Sequence, residues 1–310
     1  MKIYDRNEKI SERTAVAIGM FDGVHMGHRV LLKEMFSVAK SENLVPVVYT
    51  FFSHPIKETK RKYLTLLPER LYLLEKFGVS NVFIAELDEK FMRMTPEEFF
   101  GTEIVARMNA RAVIVGENFR FGIGRTGNVE TLRRLGDKSD ILVKAVPLVS
   151  VSGVKVSSSA IHLLIEKGEM EKANTLLGYP FFVSGKIVQG KGIGRLLGFP
   201  TANVSYNNGY KVLPKKGVYV TYAEVSGKIY KSVTNVGLNP TFEDTKTIKI
   251  ETHFLDVNTN LYGKEIVLHF LKYIRPEIKF ASKTEITNRI KEDTKIAKSY
   301  FEQNPVKHNV

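Results

Sequence analysis

The stretch Gly19-Met20-Phe21-Asp22-Gly23-Val24-His25-Met26-Gly27-His28 decides the fold of the first half of the chain. It follows the apolar run Ala15 to Met20 and precedes a helical pattern over Gly27 to Ser41. A strand ending at Phe21, a tight turn through Asp22 and Gly23, and a helix starting near Gly27 bring backbone N–H groups and the positive helix end to one point. Such a point suits an anion. His25 and His28 stand three residues apart, so both imidazoles can face one phosphate and donate hydrogen bonds to charge developing on its oxygens. Taken alone, the pair could equally ligate a metal; the flanking Gly and Asp residues and the strand-to-helix context favour the phosphate.

Working outward, strand patterns fit Ala15 to Met20, Val45 to Phe51, Asn81 to Glu86, Ala112 to Val115 and Ile141 to Val146. Helical periodicity fits Gly27 to Ser41, Pro68 to Lys76, Thr95 to Arg107 and Asn128 to Gly136. The alternation predicts a mostly parallel sheet covered by helices on both faces, with ligands at the carboxyl ends of its strands. Past Val156 the texture changes. Ser159 to Gly168 and Glu169 to Leu177 read as a helical connector stopped by Gly178 and Pro180. Short β-rich runs follow at Phe182 to Gln189, Gly217 to Val225, Lys228 to Val236, Ile248 to Phe254 and Glu265 to Ile274. They predict a small antiparallel barrel, with a final amphipathic helix over Lys283 to Phe301 and a frayed tail from Gln303 to Val310.

Composition limits the function classes. At 310 residues and 43% hydrophobic, the chain exceeds what one core usually supports, so two domains are expected. It has no Cys, and Met1 to Glu8 is too polar for a signal peptide, which together predict a cytoplasmic protein without disulfides. No apolar run approaches the roughly 18 residues that a membrane helix requires. The net charge of +13 invites a nucleic-acid reading. However, 23 basic residues meet 19 acidic ones in residues 1–150 and 23 meet 14 in residues 151–310, with no long basic run in either part. A basic surface that attracts phosphorylated small ligands accounts for the charge equally well.

The second half carries its own motif. Gly190-Lys191-Gly192-Ile193-Gly194-Arg195-Leu196-Leu197-Gly198-Phe199-Pro200-Thr201-Ala202-Asn203 supplies glycines for close backbone approach to phosphates and short polar side chains for a hard cation. About fifty residues on, Ile250-Glu251-Thr252-His253-Phe254 offers a candidate general base. Glu251 could otherwise be an ordinary strand carboxylate on a barrel face. His253, two residues along, shares its face and reads as structural.

These motifs resemble the bacterial bifunctional riboflavin kinase/FAD synthetase family. Gly19 to His28 resembles the His-x-Gly-His motif of its adenylyltransferase half. Thr50-Phe51-Phe52-Ser53-His54-Pro55 resembles its Thr-Phe-x-x-His-Pro segment. Val115-Gly116-Glu117-Asn118-Phe119-Arg120-Phe121-Gly122, with Arg125 and Gly127, resembles its flavin- and nucleotide-side loop. Read from the residues alone, His54 is a turn residue and Phe119 and Phe121 are core aromatics. The kinase module is resembled over residues 181 to 280, through Pro200-Thr201-Ala202-Asn203, Gly217-Val218-Tyr219, Asn235-Val236-Gly237-Leu238-Asn239-Pro240-Thr241-Phe242 and Glu251-Thr252-His253.

The resemblance implies a Rossmann-like adenylyltransferase domain over 1–157, a helical connector over 158–180 and a β-barrel riboflavin kinase domain over 181–303. It implies Mg²⁺, riboflavin, FMN, FAD, ATP, ADP and pyrophosphate as cofactor, substrates and products, with at most weak self-association. Glu251 would be the kinase base, Thr201 and Asn203 the Mg²⁺ ligands, and Gly192, Gly194 and Arg195 phosphate contacts. In the other half His25 and His28 would act on ATP, beside Gly19, Phe21, Asp22, Gly23, Ser158, Ser159 and His162. His54, Asn118, Phe119, Arg120, Arg125 and Arg275 would contact flavin.

One position departs from the family. Where its motif runs Ser-Ser-Thr-x-x-Arg, this chain has Ser157-Ser158-Ser159-Ala160-Ile161-His162. Imidazole offers fewer donors than a guanidinium fork and a titrating charge, which predicts phosphate contact weaker by about 1–3 kcal/mol unless Lys155 supplies the cation. The alternatives are therefore a kinase with a weak or inactive second domain and a non-catalytic flavin- or RNA-binding regulator.

Overall fold

The computed structural model describes residues 1–52, 62–189, 194, 198–206, 209–238, 248–257, 261–278 and 280–306. It divides into two compact units, Met1–Ser158 and Ser159–Val310.

The first unit is a six-stranded parallel sheet built from β1 (Lys2–Tyr4), β2 (Thr14–Ile18), β3 (Val45–Phe52), β4 (Asn81–Glu86), β5 (Ala110–Gly116) and β6 (Leu142–Val146), in the order β1-β4-β3-β2-β5-β6. Every residue of β2, Thr-Ala-Val-Ala-Ile, is buried, as expected of a strand covered on both faces. Val16 and Ile18 join the core cluster that includes Tyr49, Phe83, Phe99 and Ile104. Helix α1 (Met26–Ser41) packs on β2 and β5, burying Leu31, Leu32 and Met35. From β2 the chain builds outward through β3 and β4, then returns to place β5 and β6 on the other side. The order therefore reverses between β2 and β5, the point at which ligands of such sheets bind, beyond the carboxyl ends of the strands. Gly19 follows β2 there, and Gly116 closes β5.

The sheet corrects two sequence expectations. β2 ends at Ile18, short of Phe21, because Phe21, Gly23 and Val24 have φ of 49°, 79° and 34°, which no strand can accommodate. The helix expected over Thr95 to Arg107 is two pieces after α2 (Leu67–Lys76) and α3 (Glu89–Arg93). A short α4 (Pro96–Phe99), capped by Thr95 and Glu98, runs into a π-helix over Phe100–Arg107. On that π-helix the buried Glu103 accepts from the Tyr49 hydroxyl at 2.9 Å and pairs with Arg107 at 3.2 Å. α5 (Val129–Asp137) precedes β6, and a two-stranded ribbon, β7 (Ser150–Val151) with β8 (Val154–Lys155), follows it.

In the second unit α6 (Ser158–Lys167) and α7 (Met170–Leu177) lead to a closed six-stranded antiparallel barrel, the former beginning at the unit boundary. Its strands are β9 (Phe182–Val188), β10 (Thr201–Ser205), β11 (Gly217–Val225), β12 (Lys228–Leu238), β13 (Ile248–Phe254) and β14 (Glu265–Arg275). They run in the order β10-β13-β12-β11-β14-β9, closed by pairing β9 with β10. At that seam a Cβ on Gly185 would collide with the Ser205 carbonyl, so the closure requires glycine. β10 was expected to be part of a glycine-rich loop. Ala202, Asn203 and the preceding Pro200 are poor indicators of a strand, and its pairing on both sides with β9 and β13 overrides local preference.

The hydroxyls of Ser232, Thr221, Thr234 and Thr252 form a continuous, fully buried chain across β11, β12 and β13, at 2.8, 2.7 and 3.0 Å. Outside the barrel, α8 (Lys283–Gln303), capped by Ser282, buries Ala297 and Phe301 against Val218, Val220 and Val233. Its Asp293 receives both Nε and Nη2 of Arg275, at 2.9 and 2.7 Å, and both side chains are almost wholly buried. Residues 307–310 of the expected tail lie outside the described residues. Among the described residues, no helix is long and apolar enough to cross a membrane.

Asp293→Ala would leave a buried guanidinium without its carboxylate, and should cost about 3–5 kcal/mol. Joint replacement by Arg275→Met and Asp293→Leu should recover most of that. Denaturant unfolding followed by circular dichroism checks both, since the chain has no Trp.

Candidate functional site

Each unit carries one site. In the first, the turn after β2 is held from below by Thr65: its backbone N–H and its hydroxyl donate to the Asp22 carboxylate at 3.0 and 3.3 Å, and the same hydroxyl accepts from Gly23 N–H at 2.8 Å. The Ser158 hydroxyl donates to the Asp22 carbonyl at 3.0 Å, tying the end of the unit to this turn. Asp22 thus shapes the loop, with its Oδ1 accepting both bonds. Phe21 is fully buried, with its ring 5.1 Å from that of His28.

His25 caps α1, its Nδ1 accepting from the His28 backbone N–H at 3.4 Å. The two imidazoles stack at 3.7 Å and 12°. Stacking of this kind disfavours two positive charges. Burial lowers the His25 pKa to about 4. The His28 value falls well below the ordinary range through burial first, then through His25 and Arg70. Both rings are therefore neutral at physiological pH, with Nδ1 of His28 unpartnered among the described residues. Arg70, on α2 and wholly buried, donates to the Phe51 carbonyl at 3.0 Å and to the Thr50 hydroxyl at 3.4 Å. No sequence signal marked it, since an arginine in an amphipathic helix reads as a solvated one.

The loop after β5 brings Asn118, Arg120 and Arg125 to the surface, while Phe121 enters the core and Phe119 stacks on it at 5.5 Å. Phe121 and Gly127 bond reciprocally, and Gly122, at φ 71°, passes so close to Pro96 that a Cβ would clash. His54 lies outside the described residues, as do Gly192 and Arg195 of the second site. Ser159 is exposed on α6. His162, on the same helix, has Nδ1 3.4 Å from Glu166 one turn on.

In the second unit the register assembles the site. Asn203 on β10 and Asn235 on β12 both stand opposite Glu251 of β13. The neighbouring row, Thr201, His253 and Val233, projects to the same side. Thr201, Asn235, Glu251 and His253 line a cavity of about 220 Å³ whose far wall includes Arg275, Phe280, Ile286, Ile290 and Asp293. Arg275 lines it with its guanidinium already engaged by Asp293. Asn235 donates to Glu277 at 3.3 Å, and His253 Nδ1 lies 2.9 Å from the Pro200 carbonyl, a structural contact. Gly194 packs so tightly over Phe199 and Thr201 that a side chain there would collide with both. The Asn203 side chain is buried, and its Oδ1 has no hydrogen-bond partner among the described residues. A buried carbonyl oxygen left bare beside a threonine hydroxyl suits a hard cation. Among the described residues, no cluster of three or more acidic, cysteine or histidine side chains is placed to hold a metal. Glu251, one-third exposed, meets Lys249 Nζ at 2.5 Å. Lys249 and Asp293 escaped sequence reasoning because only the strand register and the helix contact bring them here.

Residues 7–160 match the FAD synthetase family profile and residues 177–301 that of riboflavin kinase. The bifunctional riboflavin kinase/FMN adenylyltransferase of Bacillus subtilis (strain 168) is 34% identical over 301 residues, covering 93% of each chain. Its counterpart in Escherichia coli (strain K12) is 34% identical over 306 residues, covering 96% of each. A crystal structure of a macrolide-efflux protein from Streptococcus pneumoniae aligns at TM-score 0.86 and 29% identity, over 96% of this chain and 98% of that one. Both halves being matched nearly end to end, the chain belongs to the bifunctional riboflavin kinase/FMN adenylyltransferase family.

Proposed function

We propose that the chain phosphorylates riboflavin to FMN at the barrel and adenylylates FMN to FAD at the parallel sheet, with one ATP consumed at each. The observation that carries the first assignment is the Glu251 carboxylate at the cavity wall, set between Asn203 and Asn235. In this reading the ribityl 5′-hydroxyl gives its proton to Glu251 while its oxygen bonds the γ-phosphorus of ATP. The bond from that phosphorus to the bridging oxygen breaks, and its electron pair leaves with ADP. Thr201 Oγ1 and Asn203 Oδ1 would hold Mg²⁺, which when bound neutralises phosphate charge. The Arg275–Asp293 pair keeps α8 against the barrel as the wall of the flavin pocket.

In the first unit an FMN phosphate oxygen would attack the α-phosphorus of ATP and expel pyrophosphate. His25 and His28 would act through neutral N–H donors aimed at the phosphate, joined by the Met26 and Gly27 amides at the start of α1, which no carbonyl within the helix can reach. Gly19 and Gly23 keep the turn low enough for a nucleotide to approach. Asn118, Arg120 and Arg125, exposed on the loop after β5, would receive FMN. His162, engaged with Glu166, stands where the family carries arginine. The protein is expected to work in the cytoplasm and to have no nucleic-acid partner.

Incubation with riboflavin, ATP and Mg²⁺, with chromatographic separation over time, tests the whole reading: FMN then FAD should accumulate, and absence of both would move the chain to the binding class. Glu251→Gln should abolish FMN formation while leaving adenylylation of supplied FMN intact; loss of both in a folded variant would refute independent sites. His162→Arg should raise FAD yield at limiting ATP, measured on supplied FMN. For His25, folding keeps the ring neutral with a pKa near 4, against an ordinary value of 6.5. Its contribution to stability is therefore complete above about pH 6.5 and lost as pH falls toward 4. The difference in unfolding free energy between the parent and His25→Asn should shrink across that window in denaturant titrations.

A further inference from the structure

Lys249 belongs to none of the motifs, yet its Nζ lies 2.5 Å from Glu251 Oε1. The two alternate along β13, so they share the face that looks onto the cavity. Opposite Lys249 in the register stands Gly237, and the room left by its missing side chain is taken by the Glu277 carboxylate, which Asn235 holds at 3.3 Å. Arg275, the long cation that lines the cavity, is fixed by Asp293 and cannot follow a moving charge. Thr201, Asn203 and Asn235 are neutral. Lys249 is thus the mobile cation next to the candidate base among the described residues.

Resting on the kinase reading above, we propose that Lys249 is a catalytic residue of phosphoryl transfer. Before the reaction it holds Oε1 of Glu251 and leaves Oε2 to accept the ribityl hydroxyl. When that hydroxyl proton moves to Glu251, the carboxylate becomes neutral and its charge-assisted bond to Lys249 weakens. The ammonium is then released at the moment when negative charge grows on the phosphoryl oxygens. A nucleophile in hydrogen-bond contact with Glu251 and in line with the γ-phosphorus puts those oxygens within reach of a flexible four-carbon stem. No proton leaves Lys249, and the proton taken by Glu251 is the only one transferred.

The ordinary alternative is a surface ion pair. Lys249 and Glu251 are 30% and 33% exposed, and pairs of that kind contribute little to stability. Removing Lys249 should therefore leave the fold intact, and catalysis can be read cleanly. The test is single-turnover FMN formation by the full chain at saturating ATP, for the parent, Lys249→Met and Lys249→Arg, with adenylylation of supplied FMN and melting temperature measured on the same preparations. Lys249→Met should slow phosphoryl transfer by roughly tenfold or more, the scale of a lost donor to developing charge. The riboflavin KM, adenylylation and melting temperature should stay near parental values, and Lys249→Arg should recover most of the rate. A Lys249→Met rate within a few-fold of the parent overturns the proposal, as does a Lys249→Arg rate no better than that of Lys249→Met. Should Lys249→Met fail to fold, Lys249→Gln is read by the same criteria. A parent that makes no FMN overturns the kinase reading itself, a result distinct from either failure of Lys249.

Discussion

The register of β13 between β10 and β12 is the constraint on which the second site depends. Asn203, Glu251 and Asn235 meet because each is the direct partner of the next. A slip of one residue would turn Glu251 into the barrel and Thr252 out of it. The hydroxyl chain through Ser232, Thr221, Thr234 and Thr252 opposes that slip, because each hydroxyl is fully buried and would lose its partner. The same three strands thus carry a buried polar lock on one face and the chemistry on the other. α8 then seals the outer side, with the Arg275–Asp293 pair setting where the helix lies.

The first unit meets a different constraint. Its ligand end is fixed by backbone that leaves the sheet abruptly, through positive φ at Phe21, Gly23 and Val24. Strain of this kind persists where surrounding contacts determine it. Here Thr65 supplies them, holding both Asp22 and the Gly23 amide, while Ser158 takes the Asp22 carbonyl. His25 then caps the helix it precedes, so one side chain orders α1 and presents an imidazole at its positive end.

The fold was legible wherever one period ran long enough. β2 and β3 are continuous apolar runs in a sheet covered on both faces, and α1 shows a clean amphipathic stripe. β1, three residues at the sheet edge, and β10, in a stretch that reads as a loop, carry too little local signal; their strand character comes from their partners. The π-helix was invisible for a related reason, since its composition suits an ordinary helix equally well. In the sites, motif residues were legible because their chemistry demands particular types in a row. Arg70, Thr65, Lys249 and Asp293 were not, since each acts through a neighbour distant in sequence or through a strand alternation that composition does not advertise.

The contrast between the two sites follows from the nucleophiles that the proposed reactions use. A ribityl hydroxyl is a poor nucleophile until its proton leaves, so the barrel needs a carboxylate, with a cation beside it to steady that charge. An FMN phosphate is already anionic and needs no base. The one carboxylate in that turn, Asp22, is turned to the backbone N–H and hydroxyl of Thr65 and shapes the loop. What an anionic nucleophile does need is donors that hold the α-phosphate without trapping the phosphate groups around it by net charge. Two stacked, neutral imidazoles at the positive end of a helix meet that need. The buried Arg70, which donates to backbone and hydroxyl oxygens, discourages protonation of His28. The carboxylate–ammonium pair in one unit and the uncharged histidine pair in the other are thus two responses to one question, whether the attacking oxygen arrives with its proton or without it.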